Sequence, residues 1–294
     1  MVDSSSKVLS ISEQCRILGL PRSVYYRKRS EMTPTDKEKR DEAKRAEYLE
    51  DCDVVLAEWT DHSTYGYIKM SHHLLRKGFE WATEHRIRRI YKELGLKGLT
   101  PAFKTTRPSK GKQGKYPYLL RNRTIRYVNE VWATDMTYMK LGDMMVFFTA
   151  IIDLHSRKIL SWRLSPAMDV AFCMDVLMEA IVNYGTPAIF NTDQGSQYTS
   201  KEFTFILEEQ NILISMDGVG RCKDNVFVER TWRILKYEWV FLRDHESYEQ
   251  LELSLAEFVA FFNNERIHQS LDYRTPEEVY KEGTFQITDN TKVA

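Results

Sequence analysis

Between residues 127 and 245 the spacing of apolar positions switches repeatedly from strand-like to helical. Trp132 to Met139, Met144 to Asp153 and Lys158 to Leu164 are apolar runs, the first two separated by Leu141-Gly-Asp143. They read as three meandering strands. Helical spacing runs from about Asp169 to Tyr184 and stops at Gly185 and Pro187. A short fourth strand then delivers Asp193. Thr199-Ser-Lys-Glu202 resembles a capping box opening a helix to about Gln210, and Ile212 to Met216 reads as a fifth strand. Residues 217–222 form a glycine-containing loop of mobile character, after which helical spacing returns around Glu229. This alternation predicts an α/β unit on a mixed sheet. Ser247-Tyr-Glu-Gln250 opens a further helix to about Asn264, and Pro276 begins a last short one.

The first hundred residues carry helical spacing only. Residues 10–29 read as two short helices, with Ser12 as the first N-cap, Gly19 as its end and Pro21 at the start of the second. Arg22, Arg27, Lys28 and Arg29 follow, as in a helix-turn-helix that touches phosphates, although a plain helical hairpin fits equally. Thr33 to Trp59 is charge-rich, the pattern of a solvated connecting helix. Tyr65 to Gly78 gives another helix, and Thr83 to Gly95 one more. In that last helix Ile87, Ile90, Tyr91 and Leu94 share a stripe, with Arg86, Arg89 and Lys92 off it. A docked face opposite a cationic one suits DNA contact; the alternative is a solvated face. His72, His73 and His85, with no cysteine pair nearby, read as ordinary polar residues.

Charge adds a division that the apolar pattern does not show. The 294 residues hold 42 Lys+Arg and 42 Asp+Glu, a formal net charge of +0. Residues 1–130 hold 27 basic and 17 acidic residues, and the remainder holds 15 and 25. A basic front and an acidic back point to a polyanion-binding arm on a cation-binding core, unless the charge merely fluctuates. Residues 101–130 have eight Lys+Arg, Arg107, Lys110 and Lys112 among them, against one acid, and several prolines and glycines. That composition suits an extended strap on a nucleic-acid backbone. The expected domains are 1–60, 61–100, a linker at 101–125, a catalytic core at 126–245 and a C-terminal helical extension at 246–294. Four scattered cysteines form no zinc knuckle or disulfide framework and fit a reducing cytoplasm. The N-terminus lacks the apolar stretch of a signal peptide, and no apolar run is long enough to span a bilayer, so no membrane partner is expected.

Three carboxylates carry the candidate chemistry. Asp135 lies within the first strand, Asp193 at the end of the fourth and Glu229 on the helix after the loop, with 57 and 35 residues intervening. Oxygen ligands gathered from two strands and a helix suit hard divalent cations and phosphoryl transfer. At about 100° per residue, Asn225, Arg233 and Lys236 fall within about 40° of Glu229. Phe227, Ile234, Leu235, Phe241 and Leu242 fall opposite, as the packed face. The bland alternative is a surface pair between Glu229 and Arg233.

These stretches resemble OrfB-type bacterial insertion-sequence transposases. The matches are Gln14-Cys-Arg-Ile-Leu-Gly-Leu-Pro-Arg-Ser-Val-Tyr-Tyr26, Tyr65-Gly-Tyr67, His85-Arg-Ile-Arg-Arg-Ile-Tyr91 and Trp132-Ala-Thr-Asp-Met-Thr-Tyr138. Further matches are Asp153-Leu-His-Ser-Arg157, Asp193-Gln-Gly-Ser-Gln-Tyr198, Asp224-Asn225 with Glu229, and Asn263-Asn-Glu-Arg-Ile-His-Gln-Ser-Leu271 leading to Thr275-Pro276. The loop segment Gly218-Val-Gly-Arg-Cys-Lys223 departs from the family's usual pattern.

The resemblance implies a retroviral-integrase-like, ribonuclease H-like core with Asp135, Asp193 and Glu229 as its catalytic and metal-binding triad. Two Mg²⁺ ions, replaceable by Mn²⁺, are implied. It also implies binding of terminal inverted repeats and target DNA, release of 3′-hydroxyl ends and strand transfer by a bacterial, nucleoid-associated protein. Asn225, Arg233 and Lys236 would hold the DNA end. A homodimer or higher oligomer on DNA is expected, with an upstream-frame product as a further partner. The rival readings are a structure-selective endonuclease of the same fold and a non-enzymatic DNA-binding regulator.

Overall fold

A computed structural model describes residues 10–19, 34–99, 116–217 and 226–290. They fall in two compact units, one holding the residues up to His62 with Arg89–Leu96, the other Ser63–Arg88 and the chain from Lys97 onward.

The first unit contains α1 (Ile11–Ile17) and α2 (Pro34–Asp61). Ser10, not Ser12, caps α1: its hydroxyl accepts from the Glu13 amide while the Glu13 carboxylate reaches back to the Ser10 amide. That reciprocal pair needs an acid three residues on, which Ser10 has. Gly19 ends the turn at φ +61°, where a side chain is strained. The second expected helix, with Arg22, Arg27 and Lys28, lies outside the described residues, as do Arg107, Lys110, Lys112 and Asn225.

The helix α3 (Tyr67–Arg76) belongs to the second unit. The helix α4 (Glu84–Glu93) follows Thr83, whose hydroxyl accepts from the Arg86 amide. Ile87, Ile90 and Tyr91 are buried as the stripe requires, but Leu94, beyond the helix end, is exposed. Arg89 and Lys92 are exposed, whereas Arg86 is half-buried with its guanidinium 5.5 Å from the Trp81 ring.

The sheet is built from β1 (Val131–Leu141), β2 (Met144–Asp153), β3 (Ile159–Ser165), β4 (Ile189–Thr192) and β5 (Leu213–Met216). Its order is β3-β2-β1-β4-β5; β1, β2 and β3 pair antiparallel, and β1, β4 and β5 pair parallel. Gly142, at φ +58°, turns β1 tightly into β2, with Leu141 opposite Met144.

Helices cover both faces. On one, α5 (Val170–Tyr184) and α6 (Lys201–Glu209) bury Phe172, Val176, Leu177, Phe203 and Leu207 against Trp132, Ile151 and Phe190. Asp169 caps α5, and Ser200 rather than Thr199 caps α6; the Thr199 hydroxyl instead donates to the Gly195 carbonyl. On the other face, α7 (Val226–Glu238) and α8 (Tyr248–Asn264) bury Val228, Trp232, Leu235, Leu255, Phe258 and Phe262 against Val131, Ala133, Phe148 and Ala150. Ser247 caps α8 as expected. The Asn263 side chain donates to the Ile159 carbonyl and accepts from the Ile159 amide, taking the place of a strand neighbour at the β3 edge. The last helix, α9 (Pro276–Asn290), is 15 residues long and not short. Among the described residues no helix is long and apolar enough to cross a membrane.

Candidate active site

Sheet geometry brings Asp135 and Asp193 together. In β1 the side chains of Val131 and Ala133 face α7 and α8, so two residues further on Asp135 emerges on the same face. In β4 Ile189 faces that way and Phe190 the other, so Asp193 follows Ile189. The parallel pairing sets Val131 beside Ile189 and Ala133 beside Asn191. Continued by two residues, this register sets Asp193, just past the end of β4, beside Asp135. Neighbouring strands lie about 4.8 Å apart, so two carboxylates share one spot on the sheet.

Each is fixed by a donor. Asp135 Oδ1 accepts from the Met136 amide at 2.8 Å, and Oδ2 from Trp232 Nε1 at 3.0 Å. Asp193 Oδ1 accepts from the Gly195 amide at 2.9 Å. Burial pushes the Asp135 carboxyl up to about 7, with the Asp193 charge adding to the shift and Glu229 contributing less. Burial raises Asp193 and Glu229 as well. Asp135 and Asp193 are half-buried and Glu229 is exposed. The two aspartates are thus the coupled pair, and Glu229 stands at the rim on α7. Two carboxylates raised by burial, Asp135 further by the Asp193 charge, are oxygen ligands that a divalent cation would hold ionised.

Beneath them, Thr149 lies 3.0 Å from the Tyr198 hydroxyl, and Thr134 donates to the Ala150 carbonyl. Tyr198 is buried, so it pins the loop after Asp193 to the sheet. Asn191 bonds Ser215 and Asp217, and Gln194 donates to the Asp217 carbonyl, fixing the β4 and β5 ends.

The packed face of α7 differs from the sequence expectation. Val228, Thr231, Trp232 and Leu235 are buried; Phe227 is exposed and Ile234 half-buried. Phe241 and Leu242 are exposed because the helix ends at Glu238 and a 3₁₀ turn follows, where a 100° wheel no longer applies. Trp232 falls on the Glu229 side of the wheel, yet its ring is buried while its N–H serves Asp135. Its role was missed, although an indole on the polar flank of that helix was the available signal. Lys236 is half-buried, with Nζ 4.9 Å from the Tyr138 ring; burial lowers its pKa while the Asp135 charge opposes the shift. Arg233 is exposed.

An integrase-core protein with an appended helix-turn-helix-like region is the class that this fold and site define. Two models of an integrase core domain match residues 126–222 and 210–276, together half of the chain, and an HTH-like domain matches residues 46–103. The chain belongs to the integrase-core family of insertion-sequence transposases, a polynucleotidyl-transferase kind of enzyme. It is 25% identical over 283 residues to a transposase for insertion sequence element IS629 from Shigella sonnei, covering 96% of this chain and 95% of the relative. It is 26% identical to transposase InsF for insertion sequence IS3A from Escherichia coli, covering 94% and 96%. Among solved structures, the HTLV-2 integrase catalytic core in complex with magnesium (dimeric form) is similar with a TM-score of 0.44 at 20% identity. It covers 52% of this chain and 97% of that one. A simian T-cell lymphotropic virus intasome gives 0.47 at 19% identity, covering 76% and 73%.

Proposed function

We infer that this transposase binds the terminal inverted repeats of its element, cleaves to free 3′-hydroxyl ends and joins those ends to target DNA. The observation that carries this is the shared β1–β4 register, which groups Asp135 with Asp193 on the face that α7 covers. Asp135 and Asp193 would hold the divalent ions together with Glu229; Mg²⁺ is the expected ion and Mn²⁺ a substitute. When bound, the ions would activate the attacking water or hydroxyl and stabilise the leaving oxygen.

The chain's own residues orient the reaction. Trp232 and the Met136 amide fix the rotamer of Asp135, so its oxygens need no reorganisation when DNA arrives. Gly195 does the same for Asp193. Lys236 and Arg233 leave α7 on the glutamate side and meet phosphates flanking the scissile one. Arg86, Arg89 and Lys92 offer further phosphate contacts. An element has two ends to join, so a dimer or higher oligomer on double-stranded DNA follows naturally.

Replacing Asp135 or Asp193 with Asn, or Glu229 with Gln, should abolish cleavage and joining of labelled element ends in Mg²⁺. Binding of those ends in a shift assay should stay near wild type. Robust Mg²⁺-dependent joining by the Asp193→Asn protein would remove that residue from the site.

A further inference from the structure

Two motifs of the sequence have no part in the carboxylate site, and the fold brings them together. Tyr65-Gly-Tyr67 leads into α3, and Arg266-Ile-His268-Gln-Ser270 follows α8. Between them lies a cavity of about 590 Å³, lined by Tyr67, Lys69, Arg230, Arg266, His268 and Ser270 among others. Its volume lies in the range of small-ligand sites, and its charged lining groups, Lys69, Arg230 and Arg266, are all cations set among apolar and aromatic side chains.

The cations outnumber the acids that face them. Arg266 is buried and makes a two-pronged pair with Glu238, at 2.9 Å from Nε and 2.8 Å from Nη2. Its third nitrogen, Nη1, sits 3.3 Å from a ring nitrogen of His268. Lys69 Nζ lies 3.9 Å above the Tyr65 ring. Arg157, held at φ +68° in the turn after β2, stacks 3.5 Å from the Phe227 ring. Its buried Nη1 has no hydrogen-bond partner among the described residues. Burial holds the His268 ring neutral, down to about 2, with Arg266, Lys69 and Arg157 adding to the effect. Glu238 and Asp153 are the acids that act on these groups, and Asp153 is already bonded to Ser156 and the Asn129 amide. The first turn of α3 adds backbone amides, since Gly66 caps it without a side chain. Guanidinium and ammonium groups left in excess in a half-enclosed cavity call for an anion with several oxygens, as a phosphate has.

Arg230 tells which phosphate. It follows Glu229 directly on α7 and lines the cavity, so the cavity lies about 100° round the same helix from the glutamate. We propose that this cavity is a phosphate pocket that holds the backbone of the DNA strand running on from the reacting phosphodiester, with Lys69 and Arg230 as its ligands. The proposal rests on the reading of the carboxylates as the joining site, but its test needs no chemistry.

Anisotropy of a fluorescein-labelled 40-base-pair duplex would be measured in EDTA over a range of salt, using the full chain. Lys69→Gln and Arg230→Gln should each weaken binding several-fold, and each should flatten the salt dependence by about one charge. Inorganic pyrophosphate should raise the melting temperature of wild type more than that of the double variant. Wild-type affinity and slope in the double variant would overturn the proposal. A pyrophosphate effect lost in the double variant while duplex binding is unchanged would also overturn it, showing a pocket for a free anion. Arg230 is exposed, so the Arg230→Gln protein still tests the idea if Lys69→Gln fails to fold. Joining by the Asp193→Asn protein, measured separately in Mg²⁺, tests the carboxylate reading, so failure of the pocket and failure of that reading are told apart.

Discussion

Asp135 carries the residue-scale consequences. Its carboxyl ionises near 7 in the fold against an ordinary 3.8, chiefly through burial and the Asp193 charge. The folded chain therefore holds this proton more tightly than the unfolded one. Its contribution to stability declines as pH rises from about 4 to about 7 and stays lost above that. Without metal, the difference in melting temperature between wild type and Asp135→Asn should move in favour of the variant from pH 5 to pH 8. Added Mg²⁺ should stabilise wild type more at pH 8 than at pH 5, because below the raised pKa protons compete for the same oxygens. Thermal melts at the two pH values check both, and an equal Mg²⁺ effect at pH 5 and pH 8 would count against Asp135 as a ligand. The acid itself was legible in the sequence, since a lone Asp in an apolar strand is conspicuous. Its hydrogen bond from Trp232 was not, because an indole is usually core and only tertiary packing aims its N–H.

At the scale of elements, the loop joining β4 to α6 is the tightest fitting near the site. A Cβ built on Gly195 would lie 2.9 Å from Asp193 Oδ1 and 3.2 Å from Gln197 Oε1. Gly195→Ala should push the Asp193 carboxylate off the Gly195 amide and lower the joining rate by tenfold or more. The melting temperature should change little, because the core below is anchored separately by Tyr198. Rate and melting measured side by side decide this: an unchanged rate would mean the loop simply yields. Strands β1 to β5 could be read from short apolar runs and from the turn at Gly142, and the helices of the core from their caps. The face of α7 could be read only in part, because Phe241 and Leu242 lie past Glu238, where the helix ends, and Phe227 in its first turn is exposed under the Arg157 guanidinium. The pairing of β1 with β4 could not be read, since register is decided by partners far apart along the chain.

At the scale of the whole molecule, the zero net charge conceals groups of cations and acids that the sequence locates only by halves. The cavity at α3 shows why: its cations come from positions 69, 230 and 266, which no local pattern links.

The helix α3 is held by residues distant in sequence, Tyr273 and Glu278. Arg76 donates to Glu278 at 2.5 Å and to the Tyr273 carbonyl, and the His72 ring stacks on Tyr273 at 3.5 Å. Some two hundred residues separate these partners. During synthesis, α3 leaves the ribosome long before its docking surface exists, and contacts of such separation form late. A nascent or prematurely ended chain therefore displays α3 without its seat and lacks half of the cationic cavity. The cavity would then be complete only once residues 266–278 have been made and have folded back onto α3.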